Sequence, residues 1–217
     1  MINELFAAVR SGDANQVADL INKGHDIHAR DNRGNTPLHL AVLADKLQVV
    51  EKLIEKGANV NEKNKYDNIH LHYAAGYGSL SVIEKLIKEG ANVNERNKYG
   101  NIPLQWAVSY GRLSIVEELI EKGADINAKN NNGSIPLHWA VKSSHLEVAK
   151  FLISNHADVN AKNKDGWTSL HLVVAYGNLN VVKLILDQSD YVDARGALVV
   201  ANTLNEEDSL EIRNLLE

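Results

Sequence analysis

The sequence predicts an all-α repeat array in which each unit pairs two short helices and carries a polar finger. Two observations lead there. The first is a block that recurs without a gap every 33 residues: Asn35-Thr-Pro-Leu-His-Leu-Ala41, Asn68-Ile-His-Leu-His-Tyr-Ala74, Asn101-Ile-Pro-Leu-Gln-Trp-Ala107, Ser134-Ile-Pro-Leu-His-Trp-Ala140 and Trp167-Thr-Ser-Leu-His-Leu-Val173. The second is the helical spacing inside each period. Leu38, Ala41 and Val42 follow i, i+3, i+4, and Leu47, Val50, Leu53 and Ile54 repeat that spacing after a turn.

Each element has a local cause. The segment from Leu5 to Gly24 has the helical pattern without a preceding finger and reads as an N-terminal cap. Pro37 suits a first helical turn, where its missing N–H would have no intrahelical partner, and Thr36 offers the capping oxygen. In the middle repeats Ile69, Ile102 and Ile135 replace that threonine, so Asn68, Asn101 and Ser134 are expected to supply substitute oxygens one residue earlier. Gly57 ends the second helix at a position suited to a left-handed backbone, in the anchor Gly57-Ala-Asn-Val-Asn61. The anchor recurs at Gly90, Gly123 and, with His for Gly, at His156. The polar stretches Asn64-Lys-Tyr-Asp67, Asn97-Lys-Tyr-Gly100 and Asn130-Asn-Asn-Gly133 read as hairpin fingers. Past Asp187 the pattern decays. Aligning Leu198 with Leu170 shortens the finger, and aligning Leu210 with Leu179 lengthens the next helix–helix turn around Asn205.

The Thr-Pro-Leu-His start, the Gly-Ala-Asp/Asn-Val-Asn end and the 33-residue period together resemble the ankyrin repeat family over about residues 1–217. The resemblance implies a single domain, an all-α repeat solenoid of stacked helix pairs with projecting β-hairpin fingers. Its parts would be a cap at 1–30, full repeats at 31–63, 64–96, 97–129, 130–162 and 163–196, and a truncated cap at 197–217. Because each unit buries its apolar face only against neighbours, two caps lead to the expectation of a complete array.

Composition narrows the chemistry. With no cysteine, disulfides, thiolate metal sites and cysteine nucleophiles are excluded. A formal net charge of −5, from 23 Lys+Arg against 28 Asp+Glu, lacks the positive field of a protein that neutralises many phosphates. No apolar run approaches the roughly 18–20 residues of a membrane helix. The start, Met1-Ile-Asn-Glu4, is acidic where a secretory signal is basic. A cytoplasmic location is expected, with delivery into a host cell only if the source is an intracellular bacterium.

Nine histidines raise a metal hypothesis. His39, His72, His138 and His171 share one repeat position, which Gln105 fills in the remaining repeat. Equivalent side chains on stacked helices stand about 8–10 Å apart, too far for two imidazoles that must each reach about 2 Å from one ion. By resemblance to the family, this residue bonds the repeat together. His25, His28, His70, His145 and His156 share no face. Glu51, Glu84, Glu117, Glu118, Glu121 and Glu147 mix with Lys52, Lys85 and Lys150 on the second helices, the pattern of a solvated face. No Gly-x-Ser-x-Gly, Walker or Gly-x-Gly-x-x-Gly motif opens a catalytic reading. No enzyme activity, cofactor or metal is expected.

The aromatics point elsewhere. With Leu38 facing the core, 100° per residue puts Leu40, Leu43 and Ala44 on the opposite face. Later repeats hold Tyr73, Tyr77, Trp106, Tyr110, Trp139 and Tyr176 there, and Tyr66, Tyr99 and Trp167 are assigned to finger tips. Trp and Tyr dominate binding hot spots, so these nine residues, with Arg33, Lys65 and Lys98, form the candidate partner-binding set. Arg30, Lys63, Arg96, Lys129 and Lys162 recur at one finger position and would steer an acidic partner. The resulting expectation is a non-enzymatic scaffold, monomeric alone, that binds another protein as an inhibitor, adaptor or host-directed effector. Two alternatives are nucleic-acid binding through the finger lysines and a small-ligand pocket near His70, Tyr73 and Trp106. By resemblance, Asn61, Asn94, Asn127 and Asn160 match an asparagine that eukaryotic hydroxylases modify in this family.

Overall fold

The computed structural model describes residues 2–187, 194–202 and 206–216. The described residues form fourteen helices and no strand. In chain order they are α1 (Ile2–Ser11), α2 (Ala14–Asn22), α3 (Pro37–Leu43), α4 (Leu47–Glu55), α5 (His70–Tyr77), α6 (Leu80–Lys88), α7 (Pro103–Ser109), α8 (Leu113–Glu121), α9 (Pro136–Lys142), α10 (Leu146–Ser154), α11 (Ser169–Ala175), α12 (Leu179–Asp187), α13 (Arg195–Ala201) and α14 (Glu206–Leu216). α1 pairs with α2, α3 with α4, α5 with α6, α9 with α10, α11 with α12 and α13 with α14, the two-helix units that the 33-residue pattern predicts. Contacts divide the chain into two compact units, Met1–Trp106 with Glu117–Ala124, and Ala107–Val116 with Asp125–Glu217.

In the first unit the core is built from Leu5, Val9, Val17, Leu38, Val42, Leu53, Leu71, Ile83 and Leu86, all essentially free of solvent. In the second, Leu137, Val141, Leu152, Leu170, Val174, Val182 and Ile185 play that part. These are the i, i+3, i+4 positions of each helix, so the burial follows from the period of the sequence. In α13 the buried residues are Ala197 and Ala201, which the alignment of Leu198 with Leu170 sets against the buried Ser169 and Val173; Leu198 itself is half-buried where Leu170 is buried. The expected finger shortening falls on 188–193 and the expected insertion begins at 203–205, both outside the described residues.

The fingers are tight turns, without strand ladders among the described residues. Each is closed by two backbone bonds: Asp31 N–H to Asn35 O (3.0 Å) with Gly34 N–H to Asp31 O (2.9 Å), and Asn64 N–H to Asn68 O (3.1 Å) with Asp67 N–H to Asn64 O (3.0 Å). Successive turns are tied through Lys65 N–H to Arg33 O (3.1 Å), Lys98 N–H to Tyr66 O (3.0 Å) and, in the second unit, Lys164 N–H to Asn132 O (2.9 Å). Gly34 shows why the turn wants glycine: its φ is 76°, and a Cβ there would stand 2.9 Å from the Lys65 nitrogen.

Where the family glycine is lost after the second helix, the backbone keeps the left-handed shape. His156 has φ 65°, against 95°, 86° and 89° at Gly57, Gly90 and Gly123. Those three glycines face open space, so conformation alone is at issue. The left-handed penalty of about 1–2 kcal/mol for a side chain exceeds the entropy that glycine adds to the unfolded chain, about 0.5–1 kcal/mol. His156→Gly should therefore raise the melting temperature by about 2 °C; a lowered midpoint in a thermal scan would contradict this.

The cap expectation is half met. Thr36 and Thr168 accept from the N–H of His39 and His171 (both 3.4 Å), as the sequence indicates. At Ile69 and Ile135 no side chain caps the helix. The Asn68 oxygen is held instead by the Asn97 amide at 2.8 Å, and Asn101 Oδ1 is buried without a partner. The helix closes by its own backbone: His72, Gln105 and His138 N–H donate to the carbonyls of Ile69, Ile102 and Ile135, each at 3.1 Å. All three isoleucines are buried. The hydroxyl cap is worth about 0.5–2 kcal/mol, and each extra buried carbon of isoleucine recovers about 0.8 kcal/mol, so the exchange is close to neutral.

Candidate interaction surface

The shared histidine position is a structural rail. Thr36 N–H donates to His39 Nδ1 at 3.1 Å, which leaves the ring proton on Nε2, where it bonds Asn68 O one repeat on at 3.1 Å. His72 repeats this with Ile69 N–H (3.2 Å) and Asn101 O (3.0 Å), and His138 with Ile135 N–H (3.3 Å) and Trp167 O (3.1 Å). Gln105 substitutes by accepting from Ile102 N–H at 2.8 Å. Burial pushes His39 and His72 down to about 4, against the partial opposition of their carbonyl bonds, and lowers His138.

His70, which stands where other repeats have proline, is a second buried ring stacked on His39 with centroids 3.8 Å apart. Its Nδ1 bonds Val60 O at 2.7 Å and its Nε2 lies 3.3 Å from the Thr36 hydroxyl. Burial first, and then His39 beside it, hold His70 well below the usual imidazole range. Being fully buried, His70 cannot line the small-ligand pocket considered from the sequence. His25 lies 3.7 Å from Glu4, His28 3.1 Å from Glu62, and His145 bonds Ser109 O at 3.1 Å. Among the described residues no group of three or more His, Asp or Glu could hold a metal ion, and no helix is long and apolar enough to cross a membrane.

A second rail, of asparagines, was not identified from the sequence. Asn64 Nδ2 donates to Asn35 Oδ1, and Asn97 Nδ2 to Asn68 Oδ1, both at 2.8 Å. The oxygens of Asn64 and Asn97 accept from the backbone N–H groups of Tyr66 and Asn68, and of Tyr99 and Asn101, at 2.9–3.1 Å. The signal was available: Asn64, Asn97, Asn130 and Asn163 recur at the period of 33. Asn61 is similarly spent, its amide donating to Gly90 O (2.8 Å) and accepting from Asn92 N–H (2.9 Å). Asn94 donates to Gly123 O at 2.8 Å, and Asn127 accepts from Asp158 N–H at 2.8 Å. These bonds give Asn61, Asn94 and Asn127 a role in joining repeats.

Two of the five recurring finger cations, Arg30 and Lys63, are neutralised by ion pairs. Arg30 pairs with Glu62 at 2.5 Å and also donates to Gly34 O and Lys63 O, while Lys63 pairs with Glu95 at 2.6 Å. Lys63 holds the Glu95 carboxyl below its usual range. At these two positions the basic lattice is matched by acids of the following unit, whereas the residues in the place of Glu62 and Glu95 after Arg96 and Lys129 are Ala128 and Ala161. Lys65 bonds Asn32 O at 2.9 Å; Arg33 and Lys98 are exposed. On the second helices Lys52–Glu55, Lys85–Glu89 and Lys150–Glu147 pair at 2.6–2.9 Å, as a solvated face does.

The aromatic residues sort by position. On the face opposite the core, Tyr73, Trp106 and Trp139 are half-buried, whereas Tyr77, Tyr110 and Tyr176 are 45%, 49% and 55% exposed. At the turn tips Tyr66 and Tyr99 are 43% and 59% exposed. Trp167 is not at a tip: it follows Gly166 at the closing end of its turn, half-buried, with its backbone N–H on Asn163 Oδ1 (2.9 Å) and its ring 6.3 Å from His171. In the first unit the rings form one connected surface. Asn64 binds both the Tyr66 backbone and the Tyr73 hydroxyl (2.9 Å), the Tyr73 ring meets Trp106 edge-on at 5.6 Å, and Trp106 meets Tyr77 at 6.2 Å. T-shaped contacts of this kind fix ring orientation.

Paired helices on a 33-residue period, turns tied by backbone bonds and a histidine rail define a helical repeat protein of the ankyrin type. A family model described as ankyrin repeats (3 copies) matches in three overlapping placements, at residues 5–97, 71–163 and 104–195, and the chain belongs to the ankyrin repeat family. Its fold class is the all-α repeat solenoid. Repeats of this family are generally protein–protein interaction modules and non-enzymatic scaffolds. No curated protein matches the chain.

Proposed function

We propose that the chain is a non-enzymatic scaffold that captures a partner protein through the face opposite its helical core and through its turn tips, acting as an inhibitor, an adaptor or a host-directed effector. The observation that carries this reading is the division among the aromatics. The histidines and asparagines are consumed in holding repeats together, while Tyr66, Tyr77 and Tyr99 keep roughly half their surface in water beside the half-buried Tyr73 and Trp106. Exposed tyrosines on an ordered surface bury much area on binding at little entropic cost.

The test is a triple variant, Tyr66→Ala, Tyr77→Ala, Tyr99→Ala, against a control that changes Glu51 and Glu84 to Ala on α4 and α6. With a partner captured from the native cell and then purified, titration calorimetry should give an affinity at least tenfold weaker for the triple variant and unchanged for the control. Equal affinity of the triple variant and the wild type would contradict the proposal.

A further inference from the structure

The second unit departs from the first where the asparagine rail is interrupted. Ser134 stands at the repeat position held by Asn35 and Asn68, so Asn163 meets a short hydroxyl one repeat back where Asn64 and Asn97 meet an amide oxygen. The Asn163 oxygen is fixed by Asp165 N–H (3.0 Å) and Trp167 N–H (2.9 Å), which leaves its NH2 as a donor outside the turn. Trp139 occupies the position of Tyr73. The Tyr73 hydroxyl is bonded to Asn64 and Asn35, whereas the Trp139 indole N–H is buried with no acceptor. A cavity of about 420 Å³ opens at this place, lined by Ser134, Trp139, Lys142, Asn163, Lys164 and Leu172 among others.

The balance of groups selects the ligand. Lys142 and Lys164 are exposed and form no ion pair among the described residues. Asp165 is the one acid in the lining, and His138 is held neutral by its burial. Two ammonium groups and an amide donor therefore surround a space walled in part by Trp139 and Leu172, with the orphaned indole N–H buried behind that wall. What is missing is an anionic acceptor on an apolar stem.

We infer that this cavity is a carboxylate-binding subsite that takes an acidic side chain of a partner protein. The carboxylate sits between Lys142, Lys164 and the Asn163 amide, its methylenes against Trp139 and Leu172. The Trp139 N–H is closed off from bulk water, so a small shift of the ring brings it the acceptor that the free chain lacks. The source of the carboxylate rests on the protein-binding reading; the subsite itself does not, and the two can fail separately.

The test uses the full ¹⁵N-labelled chain, with the Trp139 indole resonance assigned by its loss in Trp139→Phe. N-acetyl-glutamate amide, added at constant ionic strength, should move that resonance saturably, while N-acetyl-glutamine amide should not. In the Lys142→Met, Lys164→Met variant the apparent Kd should rise at least fivefold with the spectrum otherwise retained. No movement, equal movement by the glutamine compound, or a larger response to inorganic phosphate would overturn the carboxylate assignment and leave the tyrosine surface untouched. Loss of glutamate binding in the double variant without any loss of partner affinity would overturn the partner as its source.

Discussion

Asn97→Ala lowers the stability of the chain by about 3 kcal/mol in urea unfolding. The residue is buried, and its amide does three things: it donates to Asn68 Oδ1 at 2.8 Å and accepts from Tyr99 and Asn101 N–H at 3.0 and 3.1 Å. Truncation strands two backbone donors and one acceptor, each costing on the order of 1 kcal/mol or more. Asn97→Asp separates the parts. Asp31 already serves the first turn, accepting from Arg33 and Asn35 N–H at 2.8 Å, so an aspartate keeps the turn and loses only the link to Asn68. It should cost less than alanine. A loss under 0.5 kcal/mol for Asn97→Ala would mean that the asparagine rail contributes little.

Acidification produces the second large effect. His39 and His72 titrate at about 4 in the folded chain, and His70 and His138 are also lowered. In the unfolded chain all four sit near 6.5. Above 6.5 both states are neutral and stability is flat. Between 6.5 and 4 the unfolded chain binds protons that the folded chain refuses, so stability falls as pH falls. For His39 and His72 the cost is on the order of 3 kcal/mol each by pH 4. The main cause at His39 is burial, and the bonding adds to it: Nε2 already donates to Asn68 O, and a second proton on Nδ1 would displace the Thr36 N–H bond and leave only the Thr36 hydroxyl, at 2.9 Å, to accept it. Melting curves from pH 7.5 to 4.5 should show a steep loss below 6.5. In His72→Gln, a change that Gln105 makes natural at this position, the loss should be shallower by one proton. A melting temperature constant down to pH 4.5 would contradict the buried neutral rail.

Most of the fold could be read from the sequence because it is periodic. The apolar spacing around Leu38, Ala41 and Val42 sets both the helix and its buried side, and the next repeat inherits the result. The bonding role of His39, His72 and His138 came through resemblance, and the structure supplies its geometry. What escaped the reading depends on neighbours about one period away. The pairing of Arg30 with Glu62, and of Lys63 with Glu95, joins residues 32 positions apart, so the sequence shows that these acids dilute the cation lattice but not which cation each one holds. The substitute cap expected at Ile69 does not form because the Asn68 oxygen is claimed by Asn97, a bond between turns that no local pattern contains. Trp167 was placed at a tip by its proximity to the turn, whereas Gly166 before it ends the turn and sets the ring at the base.

Hydrogen–deuterium exchange of the chain with its partner bound maps the contact without altering a residue. Capture through the tyrosine surface requires slowed exchange at 64–67 and 97–100 and at the end of α5 that carries Tyr77, with α4 and α6 unchanged. Protection confined to α4 and α6, with the tyrosine turns exchanging as in the free chain, would contradict it.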